Sequence, residues 1–304
     1  MINIPTDLNL KDGADGIQPY IVSPELQNAI RYAVHLKRPL LLRGEPGCGK
    51  TQFARVLAYQ IYKDSDVDYK TKYFEWNIKS TTKAADGIYT FDYFQKLHDS
   101  QLKKELPKDE KYIKKGKLGE AFENSKHSNP SILLIDEIDK ADIDFPNDLL
   151  LELDQKKFYI SELKETIEAE ESPIVIITSN DERELPNAFL RRCVFHYIPF
   201  PKDKLLIDIV EAHMKRVYQE TDEPFSGEAI TTIVSEFEKL HGKMKDNPNT
   251  SKNVSTSELL DWAKTIYEHQ QSKNEAITND GTSILYPEVL FKTLNDFNLH
   301  LKIQ

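Results

Sequence analysis

The sequence has few of the features that mark secreted, membrane-spanning or metal-binding proteins. Only two cysteines occur among its 304 residues, Cys48 and Cys193, so no disulfide framework is expected. The longest apolar runs are far shorter than a membrane span, and the leader MINIPTDLNLKDGADG lacks the basic-then-apolar pattern of a signal peptide. We therefore expect a soluble protein, without a membrane partner, in a reducing cytoplasmic setting.

Two further absences concern metals and nucleic acids. The eight histidines are scattered, with neither H-E-x-x-H nor paired Cys/His spacing, which argues against a structural metal. The formal net charge is −10, which argues against a surface that attracts nucleic acid everywhere. A lysine-rich run between Lys103 and Lys117 is the one local exception, and such runs are usually solvated faces.

One segment, GEPGCGKT at residues 44–51, matches the full G-x-x-x-x-G-K-[ST] phosphate loop between a strand-like and a helix-like run. Glycines let the backbone wrap a phosphate chain, and the next helix adds the positive end of its dipole. The lysine is expected to reach the β- and γ-phosphates, and the threonine hydroxyl to bind Mg²⁺. The predicted nucleotide-binding residues are Gly44, Glu45, Pro46, Gly47, Cys48, Gly49, Lys50, Thr51 and Gln52.

Two later apolar runs end in polar residues that suit hydrolysis of the bound nucleotide. The run ILLIDEID has its acids at the end where ligands bind in open α/β sheets. Asp136 is predicted to hold Mg²⁺ together with Thr51, and Glu137 to polarise the attacking water. Asn180, which ends PIVIITSN, is predicted to orient that water or to contact the γ-phosphate. Alanine at position 85 leaves TKAA without the guanine-reading [N/T]-K-x-D pattern, so adenine is favoured.

The order of these runs predicts the fold class. Strand-like and helix-like stretches alternate up to about residue 200, which is typical of an α/β fold with a parallel sheet. The first helix is expected to follow Ser23 as its N-cap. Beyond YIPFP no strand-like run follows, and four helix-like stretches predict a small helical domain, at about residues 202–220, 226–241, 256–271 and 286–299.

Together, the phosphate loop, LLIDEID, ITSND, the paired Arg191 and Arg192 and the helical C-terminal part resemble an AAA+ ATPase. The segments TSNDERELPNAFLRRC and KADIDFPNDLLLELDQKKFYI are most similar to the MoxR-like, dynein-related branch. The resemblance covers about residues 20–270 and implies an α/β P-loop core with a parallel five-stranded sheet, followed by a helical lid. The implied domains are a leader at 1–19, a core at 20–200 with an insert at about 80–116, and a lid at 201–304.

The resemblance also implies an assembly and its cofactors, ATP and Mg²⁺. Members of this branch are ring-forming ATPases, usually hexamers, that remodel protein partners and often work with von Willebrand factor A domain proteins. By position, Arg192 matches the arginine finger that reaches a neighbouring subunit's γ-phosphate, with Arg191 as its near alternative. Ser257 stands where the family carries a lid arginine. Either Arg191 takes over part of that role, or nucleotide closes the lid weakly.

Two segments are candidates for engaging a partner. The insert carries four closely spaced aromatic residues, Tyr89, Phe91, Tyr93 and Phe94, which either grip a partner or pack the base of the insert. The alternation in KFYIS predicts a hairpin before the strand SPIVIITSN.

Three functions remain open at this point. The leading one is an ATP-hydrolysing ring that remodels or activates a protein partner. The second is a nucleic-acid-directed motor or defence-system ATPase, although the acidic composition disfavours nucleic acid. The third is a nucleotide-gated scaffold with low turnover, suggested by the absent lid arginine.

Overall fold

The computed structural model describes residues 4–102, 108–218, 225–270 and 284–301, so residues 103–107 of the lysine-rich run lie outside it. The chain divides into two compact units. The first contains Val22–Gly44 and Lys50–Ile198 with a short N-terminal piece ending at Leu8; the second contains Asn9–Ile21, Glu45–Gly49 and the chain from Pro199 onwards. Among the described helices, none is long and apolar enough to cross a membrane.

The described residues of the first unit form six α-helices and nine strands, besides short 3-10 turns. The helices are α1 Pro24–Leu36, α2 Lys50–Tyr62, α3 Tyr93–Leu102, α4 Lys117–Asn124, α5 Phe145–Gln155 and α6 Asn187–Leu190. The strands are β1 Leu40–Gly44, β2 Tyr73–Asn77, β3 Tyr89–Phe91, β4 Ile113–Lys115, β5 Ile132–Asp136, β6 Lys157–Ile160, β7 Glu165–Glu168, β8 Ile174–Ser179 and β9 Val194–Ile198.

Five of these strands form one parallel sheet in the order β2-β5-β8-β1-β9, which confirms the predicted α/β class. The inner strands are continuous apolar runs because helices cover both faces of a parallel sheet. β5 and β8 pair in register from Ile132 opposite Ile174, and nearly all their side chains are buried. The pairing brings the polar ends of β5 and β8 to the same edge of the sheet.

A helix follows β1 as predicted, and it begins at Lys50, within the last two residues of the phosphate loop. The first helix also begins where expected, since the Ser23 hydroxyl accepts a hydrogen bond from the Leu26 amide at 3.2 Å.

Two antiparallel pairs extend the first unit. In the insert, β3 pairs with β4, with Thr90 opposite Lys114. The predicted KFYIS hairpin is present as β6 and β7, with Tyr159 opposite Thr166.

The second unit holds α7 Asp203–Tyr218, α8 Gly227–Asp246, α9 Thr256–Gln270, α10 Pro287–Leu290 and α11 Leu294–His300. The expected end of α8 at residue 241 was wrong: the helix continues through Gly242 because Met244 still packs in the buried core. The expected single helix at 286–299 is divided into α10 and α11. Thr293 begins α11 by accepting a hydrogen bond from the Asp296 amide at 3.1 Å.

Candidate nucleotide site

The backbone of the phosphate loop adopts conformations that favour glycine. Gly47 and Gly49 have φ values of 77° and 86°, in the left-handed region. Within the second unit, a Cβ atom at Gly47 would collide with the Ser255 hydroxyl and lie 3.0 Å from the Ser257 hydroxyl. A Cβ atom at Gly49 would lie 2.7 Å from the ring of Tyr20. The two glycines are therefore required both by backbone conformation and by close neighbours.

Lys50 holds a positive charge inside the loop. Its side chain is only 7% exposed, and its ammonium donates a hydrogen bond to the carbonyl oxygen of Gly44 at 2.7 Å. The Gly44 carbonyl oxygen thus holds the ammonium that is predicted to meet the β- and γ-phosphates.

The remaining loop residues have different surroundings. Oε2 of Glu45 lies 3.7 Å from Nε2 of His241, and the His241 ring stacks on Phe200 with 3.9 Å between centroids. Burial lowers the pKa of His241, while the Glu45 carboxylate opposes that shift. Pro46 is exposed, whereas three others are partly buried: Gln52 in the first turn of α2, Cys48, which is not in a disulfide, and Gly49.

Threonine and carboxylate oxygens meet beside the loop. The hydroxyl of Thr51 donates to Oδ1 of Asp136 at 2.9 Å, and the hydroxyl of Thr178 donates to the same oxygen at 2.6 Å. The Thr178 oxygen in turn accepts the backbone N–H of Glu137 at 2.9 Å. Hydroxyl and carboxylate oxygens are the ligands that Mg²⁺ prefers, so the donor set formed by Thr51 and Asp136 fits that ion.

Glu137 is held by two donors. Its backbone is left-handed, with φ 59° and ψ 51°, which is uncommon for a residue other than glycine. One carboxylate oxygen accepts from the side-chain amide of Asn180 at 3.2 Å, and the other from the ammonium of Lys140 at 2.5 Å. The hydrogen bond to Glu137 raises the pKa of Lys140 above its ordinary value. The structure thus brings the side chain of Asn180 into contact with Glu137.

The paired arginines lie elsewhere in the first unit. Arg191 and Arg192 follow α6 and are exposed, and Nε of Arg192 lies 3.5 Å from Oδ2 of Asp154. Within the described part of the chain, neither guanidinium contacts Asp136 or Glu137.

Two groups that organise this site are not among the site residues predicted from the sequence. Thr178 connects Asp136 with the Glu137 amide, and Lys140 binds the Glu137 carboxylate. A hydroxyl within the apolar run IVIIT was the available signal for Thr178, and a cation three residues after Glu137 was the signal for Lys140.

The match to a known protein family agrees with this fold. The family model described as "ATPase family associated with various cellular activities (AAA)" matches residues 40–201. NtrX from Brucella abortus in complex with ADP is 14% identical, with a TM-score of 0.50, over 93% of this chain and 57% of that chain. NtrX with ATP is 14% identical, with a TM-score of 0.49, over 96% and 59%. A candidate ATPase from Cytophaga hutchinsonii is 20% identical, with a TM-score of 0.40, over 70% and 57%.

No curated protein matches the chain. At such low identity the likeness to NtrX with ADP concerns the fold alone, and the chain spans less than two thirds of each of these structures. The family match covers more than half of the chain and includes the phosphate loop, the Asp136–Glu137 pair and Asn180. The chain therefore belongs to the ATPase family associated with various cellular activities.

Proposed function

We propose that this AAA protein hydrolyses ATP with Mg²⁺, assembles into a ring and remodels or activates a protein partner. The observation that carries the proposal is the meeting of the Thr51 hydroxyl and the Asp136 carboxylate at 2.9 Å, with Glu137 next in the chain. A phosphate loop alone supports binding, whereas this arrangement adds a metal-binding pair and an adjacent general base.

Each group has a distinct task in that reaction. The loop amides and Lys50 bind the triphosphate, and Thr51 and Asp136 are the residues that would hold Mg²⁺. When bound, the ion neutralises charge on the phosphate oxygens. Glu137 accepts the proton of the attacking water, and Asn180 orients the Glu137 carboxylate and that water. Adenine is the proposed base because the guanine-reading pattern is missing and the family is one of ATPases.

The surroundings of Arg192 support assembly. Its side chain is exposed and pairs with Asp154 on the same chain, away from the Asp136–Glu137 pair. An exposed arginine in this position suits contact with the γ-phosphate bound by a neighbouring subunit. We propose a homo-oligomeric ring, with six subunits as in the MoxR-like branch, and a von Willebrand factor A domain protein as the partner.

The lysine-rich run argues against the nucleic-acid alternative. Four of the lysines that the structure describes in this run have an acidic neighbour: Lys111 pairs with Asp99, Lys114 with Asp92, Lys115 with Glu123 and Lys117 with Glu120. The neighbouring carboxylates offset the positive charge of the run and so reduce its attraction to a phosphate backbone.

One observation favours a second candidate, a scaffold that assembles with ATP and turns over slowly. Ser257, which stands in place of the lid arginine, lies against Gly47, and neutral hydroxyls replace a cation there. In addition, Lys140 and Asn180 both donate hydrogen bonds to the Glu137 carboxylate, the group that would have to accept a proton from water.

Turnover by the assembled protein separates the two candidates. We expect phosphate release that needs both ATP and Mg²⁺, measured on the species that light scattering shows to be a ring, with EDTA as the control. An ATP-dependent ring that releases no phosphate would identify the scaffold. A chain that stays monomeric with ATP and Mg²⁺ would contradict the assembly.

A further inference from the structure

Asp139 is a buried carboxylate in the turn Ile138–Lys140 that follows β5, and it is only 3% exposed. Its Oδ2 atom accepts the backbone N–H of Asn180 at 3.0 Å and that of Glu182 at 2.9 Å. A carboxylate buried this deeply needs such donors, and charge-assisted hydrogen bonds are stronger than neutral ones. Asp139 therefore fixes the backbone of the loop that follows β8.

The loop after β8 contains a residue in an uncommon backbone conformation. Asp181, between the two bonded amides, has φ 64°, in the left-handed region that non-glycine residues seldom adopt. Its carboxylate pairs with Arg43 at 2.9 Å. Further along, the Arg183 guanidinium donates a hydrogen bond to the carbonyl oxygen of Ala141 at 3.1 Å. This bond also joins the segment after β5 to the loop after β8.

The loop after β8 carries the side-chain amide of Asn180, which contacts Glu137. The main chain of Asn180 is bound by Asp139, while its side-chain amide donates to Oε1 of Glu137 at 3.2 Å. A displacement of the loop would therefore move the Asn180 side chain relative to that carboxylate. Displacements of about 1 Å in a catalytic arrangement can reduce rates by roughly 100-fold.

We propose that Asp139 is a positioning residue for ATP hydrolysis. By holding the amides of Asn180 and Glu182, it sets the side-chain amide of Asn180 against Glu137 and so orients the carboxylate that activates water. This inference rests on the proposed hydrolysis of ATP. Asp139 acts through Asn180, and both of its bonds to the loop use one oxygen.

Because both hydrogen bonds to the loop use Oδ2 of Asp139, a substitution can remove the charge and keep the hydrogen bonds. Oδ1 of Asp139 is buried and has no hydrogen-bond partner among the described residues. In Asp139→Asn, the amide oxygen can take the place of Oδ2 and still accept both N–H groups, whereas Asp139→Ala removes the acceptor. The two variants therefore separate hydrogen bonding from the simple presence of a buried charge.

The test measures kcat, KM, ATP affinity and melting temperature for both variants. Asp139→Ala should lower kcat by roughly 10- to 100-fold, with KM and ATP affinity within about twofold of the parent, and Asp139→Asn should recover most of kcat. The double variant Asp139→Ala/Asn180→Ala should have a kcat no lower than that of Asn180→Ala alone, because Asp139 acts through Asn180. Asp139→Ser, whose side chain is too short to reach both amides, replaces the alanine variant if that one does not fold.

A second readout does not depend on hydrolysis. Without nucleotide, the amide hydrogens of Asn180 and Glu182 should exchange faster in Asp139→Ala and at the parental rate in Asp139→Asn. A parent without ATPase activity would contradict the proposed function, while the exchange result would still decide whether Asp139 holds the loop. The inference would be overturned if Asp139→Ala kept the parental kcat, or if it lost ATP affinity by the same factor as kcat. It would also be overturned if the kcat losses of Asp139→Ala and Asn180→Ala multiplied in the double variant, or if Asp139→Asn were inactive.

Discussion

Nε of Arg192 lies 3.5 Å from Oδ2 of Asp154, and the two side chains are 53% and 57% exposed. An exposed ion pair of this kind contributes at most about 1 kcal/mol to stability. Arg192 can therefore leave Asp154 for a stronger anion, such as a nucleotide phosphate on a neighbouring subunit.

This relationship predicts that Arg192→Ala stops hydrolysis without preventing ATP binding. In other systems an arginine finger contributes ~10³–10⁵ to the rate, so phosphate release by the ring should fall steeply. Asp154→Ala, which removes only the partner on the same chain, should stay near the parental rate. Mixing Arg192→Ala subunits with Lys50→Ala subunits should restore part of the activity, because each supplies the half-site that the other lacks. If no mixture recovers activity, Arg192 does not act between subunits.

Lys50→Ala should lose ATP affinity. The buried ammonium is held in the loop by the Gly44 carbonyl oxygen, and hydrogen bonds to charged groups contribute about 1.5–3 kcal/mol each. Calorimetric titration should show affinity reduced at least ~10-fold, because the phosphates lose the ammonium that is predicted to bind them. The matched control is Lys63→Ala, an exposed lysine just after α2. Equal affinities for the two variants would remove the assignment of the phosphate loop.

Acid should weaken the connection between the insert and the β6–β7 hairpin. Glu162 accepts hydrogen bonds from Tyr93 at 2.7 Å and Tyr89 at 2.9 Å. The hydrogen bond from Tyr93 is the main cause that lowers the pKa of Glu162 from 4.5 to about 2. Because the folded-state pKa is the lower one, the stabilisation is complete above about pH 4.5 and is lost as the pH falls towards 2.

Thermal melts across that pH range check this prediction. Glu162→Gln should melt below the parent at neutral pH, and the difference should shrink on acidification from pH 4.5 towards 2. Glu165→Gln, on the same hairpin, removes an equal charge without those tyrosine contacts and serves as the control. A difference between parent and Glu162→Gln that stays constant with pH would refute the connection.

The insert aromatics should divide into packing and partner-binding residues. Phe91 lies against the rings of Tyr93 and the buried Tyr112, with centroids 4.7 and 6.1 Å apart, whereas Phe94 is 88% exposed. Full burial of such a ring contributes about 1.5–3 kcal/mol, so Phe91→Ser should lower the melting temperature.

Phe94→Ser, by contrast, should leave the melting temperature and basal ATPase unchanged and reduce stimulation by the protein partner. The comparison with Phe91→Ser uses the same substitution at a neighbouring site. If Phe94→Ser responds normally to the partner, the exposed face of α3 has no role in partner binding.

Local patterns were sufficient to predict the elements and the fold class. Short apolar runs with polar ends correctly predicted the parallel sheet, and the alternation in KFYIS predicted its hairpin. Helix boundaries were less predictable: α8 passes Gly242 because the burial of Met244, a tertiary effect, outweighs the low helix propensity of glycine.

The contacts of the candidate site could be predicted only in part. The positions of Asp136 and Asn180 follow from the ends of their strands, but the bond between Asp139 and the Asn180 amide joins residues 41 apart. It depends on β5 lying directly beside β8, a strand order that no local pattern specifies. Glu137, which accepts a hydrogen bond from Lys140, has a left-handed backbone, a conformation that sequence patterns predict for glycine and not for glutamate.

The central claim, hydrolysis of ATP with Glu137 as the group that activates water, is tested most directly by Glu137→Gln. The substitution keeps the shape of the side chain and removes its ability to accept a proton. ATP affinity and phosphate release should be measured on the same preparation of parent and variant. We expect ATP affinity within about twofold of the parent and a kcat reduced by ~10²–10⁴. Hydrolysis by Glu137→Gln at the parental rate would contradict it.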